Sequence, residues 1–293
     1  MALQYVTIST AEDQAHVKDH DWQKLTINGK GVGFLQKPLL DRFEGSAKTL
    51  QGTDQTQWRL TFFSGTEYET RFLVSFSNSE QKKSGDVVAL SIWQTCSNSG
   101  PTDEQSSLAS KWLRGSATLT IESHEKLGDG LWLAVDGAAL SVVCQHQHRF
   151  ERFVILLALA CAYQQRIQAL IVKMAEWDGL PKELSRLIRL SAEFNARHYF
   201  RYPVLMDRKE LPLVWDLIAE RMRLAQINQE FLDQLQALHK LVAANERDKE
   251  TRRWQWVGAG FGFLSAIQVL NLLPEGIRLH WFHAILAILG VTP

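Results

Sequence analysis

The last forty residues constrain this chain most. The 293 residues include thirty-two basic and thirty-two acidic side chains, yet only Glu275 and Arg278 lie in residues 254–293. Residues 254–273, WQWVGAGFGFLSAIQVLNLL, contain no ionisable group. A helix of that length spans roughly 30 Å, the thickness of the hydrocarbon core of a bilayer. Two tryptophans and two arginines stand at its start, as at a membrane surface. The pattern predicts a transmembrane helix, with a buried helix of a soluble core as the alternative.

A second apolar run follows a short break. Pro274-Glu275-Gly276 ends the first helix, because proline lacks an amide hydrogen and glycine permits a reversal. Residues 277–291 are again apolar and would span about 22 Å as a helix. We expect a second span, with a re-entrant or interfacial segment as alternatives. Residues 254–293 are therefore predicted to form a transmembrane hairpin.

The first predicted span has one polar and small-residue face. At 100° per residue one side carries Gln255, Gly258, Gly262 and Ser265, with Gln268 at its edge and Asn271 near the end. Glycines four residues apart let helices approach closely. The face is either a contact surface between helices or the polar wall of a path for ions. Both alternatives require self-association.

The basic residues predict how the chain is oriented. Four of them crowd the entrance to the first span, whereas the turn after it offers only Arg278. Because basic residues stay on the cytoplasmic side, we expect an inner (plasma) membrane protein whose amino-terminal part is cytoplasmic. Residues 1–10 have neither the basic start nor the apolar stretch of a secretory signal. A cytoplasmic position also suits free thiols at the three cysteines.

Residues 1–149 are rich in predicted strands. Short runs of Val, Leu, Thr and aromatic residues, many alternating with polar residues, are separated by turn-forming clusters. The predicted strands are 58–63, 71–77, 87–94, 116–121, 131–135 and 138–144, with an Asp-Gly turn between the last two. Residues 38–44 and 104–113 are predicted helices. The fold class is therefore an α+β cytoplasmic domain, followed by a long stalk helix and the transmembrane hairpin.

Residues 150–210 are predicted to be a helical cytoplasmic segment. Residues 153–162, FVILLALACA, form an apolar run of ten, too short for a typical span. We expect a helix buried in the soluble body, with a third span as the alternative. Pro181 begins the next helix, at a position where proline is tolerated, and residues 197–203 close it.

Residues 211–253 are predicted to be one long stalk helix that continues into the membrane. Apolar residues recur there at steps of three and four: Leu217, Leu224, Ile227, Phe231, Leu235, Leu238 and Val242. The seam is narrower than a globular core face and favours a stalk that bundles with copies of itself. The alternative is one face packed on its own domain. Beyond the seam, seven of the nine residues NERDKETRR are charged, as on a solvated helix.

Few motifs indicate chemistry. A net charge of zero removes the general electrostatic argument for nucleic-acid binding, and we predict no nucleic-acid partner. No Gly-x-Ser-x-Gly or phosphate-binding glycine loop is present, and NGKGVGF at 28–34 indicates an Asn-Gly turn. We therefore do not expect an enzyme. Cys144, His146 and His148 alternate and would lie on one face of a strand, where they could bind a metal. The alternative is a strand end that carries polar residues at alternate positions.

The layout resembles the CorA family of divalent-cation transporters. The similarity is strongest over FLDQLQALHKLVAANERDKETRRWQWVGAGFGFLSAI, and the turn Leu273-Pro274-Glu275 is similar to the acidic loop of that family. Of the Gly-Met-Asn motif that ends the first span in CorA proteins, Val269-Leu270-Asn271 keeps only the Asn. The basic tail of the family is also missing. The resemblance implies a homo-oligomer, usually a pentamer, with a divalent cation as the candidate cofactor.

Two functions follow as hypotheses. The first is a homo-oligomeric CorA-like channel or transporter, gated by an ion or small-molecule ligand on its cytoplasmic domain. The second is a membrane-tethered signalling or antiviral defence effector, whose cytoplasmic domain binds a signal and whose tail permeabilises or anchors. A metal at the Cys144 set would instead favour a membrane-anchored enzyme.

Overall fold

A computed structural model describes residues 2–11, 21–50, 55–80, 86–96 and 100–244. The predicted pore face, from Gln255 to Asn271, and both predicted membrane spans lie outside these residues. The strands are β1 (Leu3–Thr10), β2 (Gln23–Lys24), β3 (Thr26–Ile27), β4 (Lys30–Gly31), β5 (Glu44–Thr49), β6 (Thr56–Phe62), β7 (Thr70–Ser77), β8 (Val87–Gln94), β9 (Glu125–Gly128), β10 (Leu131–Asp136) and β11 (Ala139–Cys144). The helices are α1 (Lys37–Leu40), α2 (Asp103–Arg114), α3 (Gln147–Ala175), α4 (Pro181–Arg197) and α5 (Leu211–Arg221).

A mixed sheet of nine strands forms the scaffold. The strand order is β2-β5-β6-β7-β1-β8-β11-β10-β9, and every neighbouring pair is antiparallel except β8 and β11, which are parallel. A separate hairpin joins β3 and β4 through Asn28 and Gly29, both with positive φ. That geometry confirms the predicted Asn-Gly turn. The α+β class is also confirmed for the described residues.

The two faces of the sheet are covered differently. Strand residues such as Val6, Phe72 and Leu140 point to the face on which α3 packs, and they are fully buried. On the opposite face α2 covers β8 and β11, where the Trp112 ring lies 4.9 Å from the Tyr5 ring. Helix α3 therefore organises the main core, because α4 and α5 pack on it in turn.

The apolar run 153–162 lies in the middle of α3, as predicted. Every side chain from Phe153 to Tyr163 is at most 3% exposed. Among the described residues, α3 is the one helix long and apolar enough to cross a membrane, by length and composition alone. Of its most apolar stretch, 67% is buried within the protein. The expected helix buried in the soluble body accounts for this burial.

One predicted strand does not form, and one predicted helix is shorter than expected. Residues 116–121 form no strand; their backbone is held by Ser110 of α2, whose hydroxyl accepts from the amides of Thr118 and Leu119 at 2.8 and 2.9 Å and donates to the Ser116 carbonyl. A side chain thus takes the place of a neighbouring strand. The predicted helix 38–44 ends after one turn at Leu40, because the chain enters β5 at Glu44.

The predicted stalk helix is interrupted. Helix α5 begins at Leu211 and ends at Arg221, and Arg223 has a φ of 53°, in the left-handed region. Helical structure resumes at residue 224. Leu224 and Phe231 are 1% exposed, and Ile227 is half-buried. The single helix expected over residues 211–253 is therefore wrong at this point, and packing on the same domain accounts for Leu224 and Phe231.

The chain divides into two compact units, Met1–Asp233 and Gln234–Pro293. The sheet and helices α1 to α5 belong to the first unit. The remaining seam residues Leu235, Leu238 and Val242 belong to the second unit, in which residues 234–244 are helical.

Candidate functional site

Of the three predicted metal ligands, His146 and His148 stack with ring centroids 5.3 Å apart, but Cys144 does not complete a metal site with them. Strand β11 ends at Cys144, His146 precedes α3 as its N-cap, and His148 lies in the first helical turn. The Cys144 thiol is buried and donates to the carbonyl of His146 at 3.4 Å. Within the ranges that the structure describes, no three His, Cys, Asp or Glu side chains are grouped to hold a metal. The expectation of three ligands alternating on one strand is wrong, because the strand ends before His146.

The buried nucleophiles are poorly placed for catalysis. Ser141 Oγ lies 3.1 Å from His124 Nε2, a pair that could in principle activate the hydroxyl. Ser141 is fully buried, however, so no substrate can reach it in this conformation. Burial raises the pKa of the Cys161 thiol to about 12 and also raises the pKa of Cys144. A thiol with a raised pKa carries little of the reactive thiolate at neutral pH.

A cationic cavity lies where α3 and α5 begin. We call it the cationic pocket; it has a volume of about 320 Å³. Its lining residues are His148, Arg149, Arg152, Phe153, Arg208, Lys209, Glu210 and Leu211. The first four belong to the start of α3, and the last four to the segment that leads into α5. Because α3 and α5 pack on one another, residues about sixty positions apart meet here.

The charges in this pocket are unbalanced. Of the lining residues that the structure describes, four are cationic and one is acidic, which leaves an excess of three positive charges. Glu210 neutralises Arg149 through a two-pronged contact, Nε to Oε2 at 3.0 Å and Nη2 to Oε1 at 2.5 Å. Arg208 lies 3.7 Å from Asp207, and both are largely exposed, so this pair contributes little. The pocket therefore has a positive potential that a bound anion would relieve.

Two of the cations, Arg152 and Lys209, form no hydrogen bond or ion pair with a carboxylate among the residues that the structure describes. Arg152 is half-buried and Lys209 is exposed. Burial raises the pKa of the neighbouring Glu151 carboxylate, and the charge of Arg152 acts on it in the opposite direction. A half-buried guanidinium has nevertheless lost part of its hydration, and an anionic ligand would supply a hydrogen-bonded partner.

His148 reports the field in the pocket. Its pKa is lowered, first because burial disfavours the charged ring and then because Arg152, His146 and Arg149 repel a further positive charge. Glu210 acts in the opposite direction. The imidazole is therefore neutral at neutral pH, and it can donate or accept one hydrogen bond at the rim of the cavity.

A second cavity, of about 460 Å³ beside β7, carries paired rather than spare charges. It is lined by Arg166, which donates to Thr70 Oγ1 at 2.7 Å and to the Glu69 carbonyl. The Arg71 guanidinium there pairs with Glu69. Because these cations already have partners within the fold, this cavity has less to gain from an anion than the cationic pocket.

Among the pocket residues, the sequence singled out His148, as a metal ligand, and missed the four cations and Glu210. A signal was nevertheless present: α3 has no acidic residue in its first turn, and Arg149 and Arg152 lie one turn apart near its amino terminus. Helix starts favour acidic side chains, because the helix dipole is positive there. Cations at such a position oppose local stability, which is typical of a functional site. The partner segment 207–210 could not be assigned without the fold.

The comparisons with known proteins add no information on this pocket. A comparison of the chain with protein-family models, with curated proteins and with solved structures finds no match in any of the three.

Proposed function

We propose that the protein is a membrane-tethered effector whose folded unit binds a small phosphorylated signal in the cationic pocket. The carboxy-terminal apolar segments, residues 254–273 and 277–291, anchor in the inner membrane or permeabilise it. The observation that carries the proposal is the excess of three positive charges around one cavity of about 320 Å³.

Phosphate is the ligand group that suits this pocket best. Three of its four cations are arginines, and the planar guanidinium donates two parallel hydrogen bonds to phosphate oxygens. An excess of three charges is matched by a ligand with two or more negative charges rather than by one carboxylate. The volume also lies in the range of small-molecule sites.

The same charges argue against direct sensing of a divalent cation in this pocket. A Mg²⁺ ion would meet three guanidinium groups and an ammonium group, and hard cations need several oxygen ligands. Glu210 supplies the one carboxylate, and Arg149 already occupies it. The signal-binding effector is therefore favoured over a cation-gated transporter.

Calorimetry tests the pocket. Inorganic pyrophosphate is titrated into the full-length protein in detergent at fixed ionic strength, with Arg152→Gln beside the wild type. Saturable binding that weakens by about tenfold or more in the variant supports the proposal, since a charge-assisted hydrogen bond contributes about 1.5–3 kcal/mol. The matched control is Lys173→Gln, because Lys173 lies at the far end of α3. No saturable heat, or an equal affinity in Arg152→Gln, would remove the pocket from the function.

A phosphorylated lipid headgroup offers the same chemistry as a soluble ligand. The two sources are separated by titrating micelles that contain phosphatidic acid, with and without pyrophosphate. If the headgroup is the ligand, the Arg152-dependent affinity is higher for these micelles and pyrophosphate competes only weakly.

A homo-oligomeric CorA-like channel is the second candidate. The observation that favours it is the row of Gly258 and Gly262 beside the polar Gln255 and Ser265 in the first predicted span. Replacing Gly262 by Leu should lower the mass of the intact complex in detergent, whereas an unchanged mass would contradict the assigned helix contact. A saturable magnesium flux in proteoliposomes would favour this candidate over the effector.

A further inference from the structure

We propose that Glu210 is a built-in competitor for the phosphate site, and that a phosphorylated ligand displaces it from Arg149 and so loosens the first turn of α5. The inference rests on the proposed function, because it concerns the regulation of the same pocket. It is carried by the contact between Glu210 and Arg149 and by the position of Glu210 in the chain.

Glu210 occupies the site that a phosphate group would take. Its two carboxylate oxygens accept from Nε and Nη2 of Arg149, which is the two-pronged geometry that guanidinium also offers to phosphate. Glu210 is the only acidic residue among the described residues that line the pocket. In the ligand-free protein the pocket therefore holds a carboxylate in place of the ligand.

The exposures of the two side chains favour exchange. The Arg149 side chain is 15% exposed and the Glu210 side chain 38% exposed. Arg149 cannot regain full hydration in place, so it needs an anionic partner. Glu210 can turn towards water at little cost. A multiply charged phosphate that also contacts Arg152 and Lys209 offers Arg149 a stronger partner than Glu210 does, and it repels the carboxylate.

Displacement of Glu210 acts directly on α5. Glu210 is the N-cap residue of this helix, and its carbonyl accepts from the Val214 amide at 3.0 Å, the first hydrogen bond of the helix. No side-chain hydrogen bond caps the helix at Glu210. The ion pair with Arg149 therefore holds the start of α5 against α3, and its loss lets the first turn open more often.

Hydrogen exchange and calorimetry test the inference on the full-length protein with pyrophosphate. In the wild type we expect pyrophosphate to raise exchange about tenfold at the first turn of α5, in peptides covering residues 210–215; this factor corresponds to about 1.4 kcal/mol. In Glu210→Gln that exchange is already raised without ligand, and pyrophosphate changes it less than about twofold. The same variant binds pyrophosphate at least about fivefold more tightly, as expected for a coupling of ordinary size.

Glu220→Gln is the matched control, because it removes one carboxylate from α5 outside the pocket. It should keep the wild-type affinity and the wild-type exchange response. Two outcomes overturn the inference: wild-type binding of pyrophosphate with no rise in exchange at residues 210–215, or a Glu210→Gln affinity equal to that of the wild type. The first is measured without any variant, so the test stands even if Glu210→Gln folds poorly. Absence of binding to the wild type would instead refute the proposed function.

Discussion

The start of α3 and its middle differ in burial and in charge. From Phe153 to Tyr163 the helix is apolar and almost fully buried against the sheet, as a core element should be. In the first six residues, 147–152, it carries two arginines, a histidine and one glutamate, and it opens onto the cationic pocket. The middle is chosen for packing, whereas the start gives up favourable helix-dipole interactions. The contrast teaches that a local conflict in an otherwise consistent helix points to a ligand.

The largest effect is expected from the middle of α3. Leu159 is fully buried there, so Leu159→Ala should lower the free energy of unfolding by about 2–5 kcal/mol, through lost burial and a residual cavity. Urea denaturation followed by circular dichroism measures the change. Pyrophosphate affinity of the folded variant should stay within about twofold of the wild-type value. Such a change is small beside the tenfold change that corresponds to about 1.4 kcal/mol. A parallel loss of affinity would mean that the start and the middle of α3 are not independent.

The start of α3 should respond in ligand binding. A double variant, Arg149→Gln with Arg152→Gln, removes two of the four cations of the pocket and should weaken pyrophosphate binding by about a hundredfold or more. Competition with a fluorescent phosphate ligand is a suitable measurement. A double variant that binds as tightly as Arg152→Gln alone would place Arg149 outside the site.

A smaller effect, of opposite sign, is expected for stability. Arg149 and Arg152 lie three residues apart on one helix face, and like charges at such spacing destabilise a helix by about 0.2–0.5 kcal/mol. Without ligand, Arg152→Gln should therefore be as stable as the wild type or slightly more stable in the same urea titration. A loss above about 1 kcal/mol would show that Arg152 packs as a structural residue.

The smallest effect concerns pH. Burial lowers the pKa values of His148 at the start of α3 and of His198 beside its middle, so the unfolded chain takes up protons that the folded chain refuses. Stability is then complete above pH 6.5 and declines as the pH falls towards the folded pKa values. His148→Gln should flatten part of this decline between pH 7.5 and 5.5, measured by urea denaturation. An unchanged slope would assign the decline to other groups, such as the buried His124.

The sequence predicts the buried middle of α3 better than it predicts the charged start. An apolar run of ten residues has few solutions, and 153–162 is a buried helix as expected. Strands 87–94 and 138–144 were likewise close to β8 and β11. The central strand β1 was not predicted, although Val6 and Ile8 are fully buried in it.

Contacts between residues far apart in the chain could not be predicted from sequence patterns. Residues 116–121 have strand-like composition, but Ser110 satisfies their amides, so they form no ladder. The pocket requires α3 and α5 to begin side by side, which depends on the packing of the whole unit. No glycine or proline stands at the break at Arg223, so the sequence does not predict the break.

The break at Arg223 sets local backbone geometry against packing. Arg223 is held in a backbone region that costs a residue with a side chain about 1–2 kcal/mol, while Met222 and Leu224 on either side are buried. Moving Arg223 into the right-handed region would shift these two side chains relative to one another. Their burial therefore offsets the unfavourable backbone conformation and fixes the direction in which the chain leaves α5.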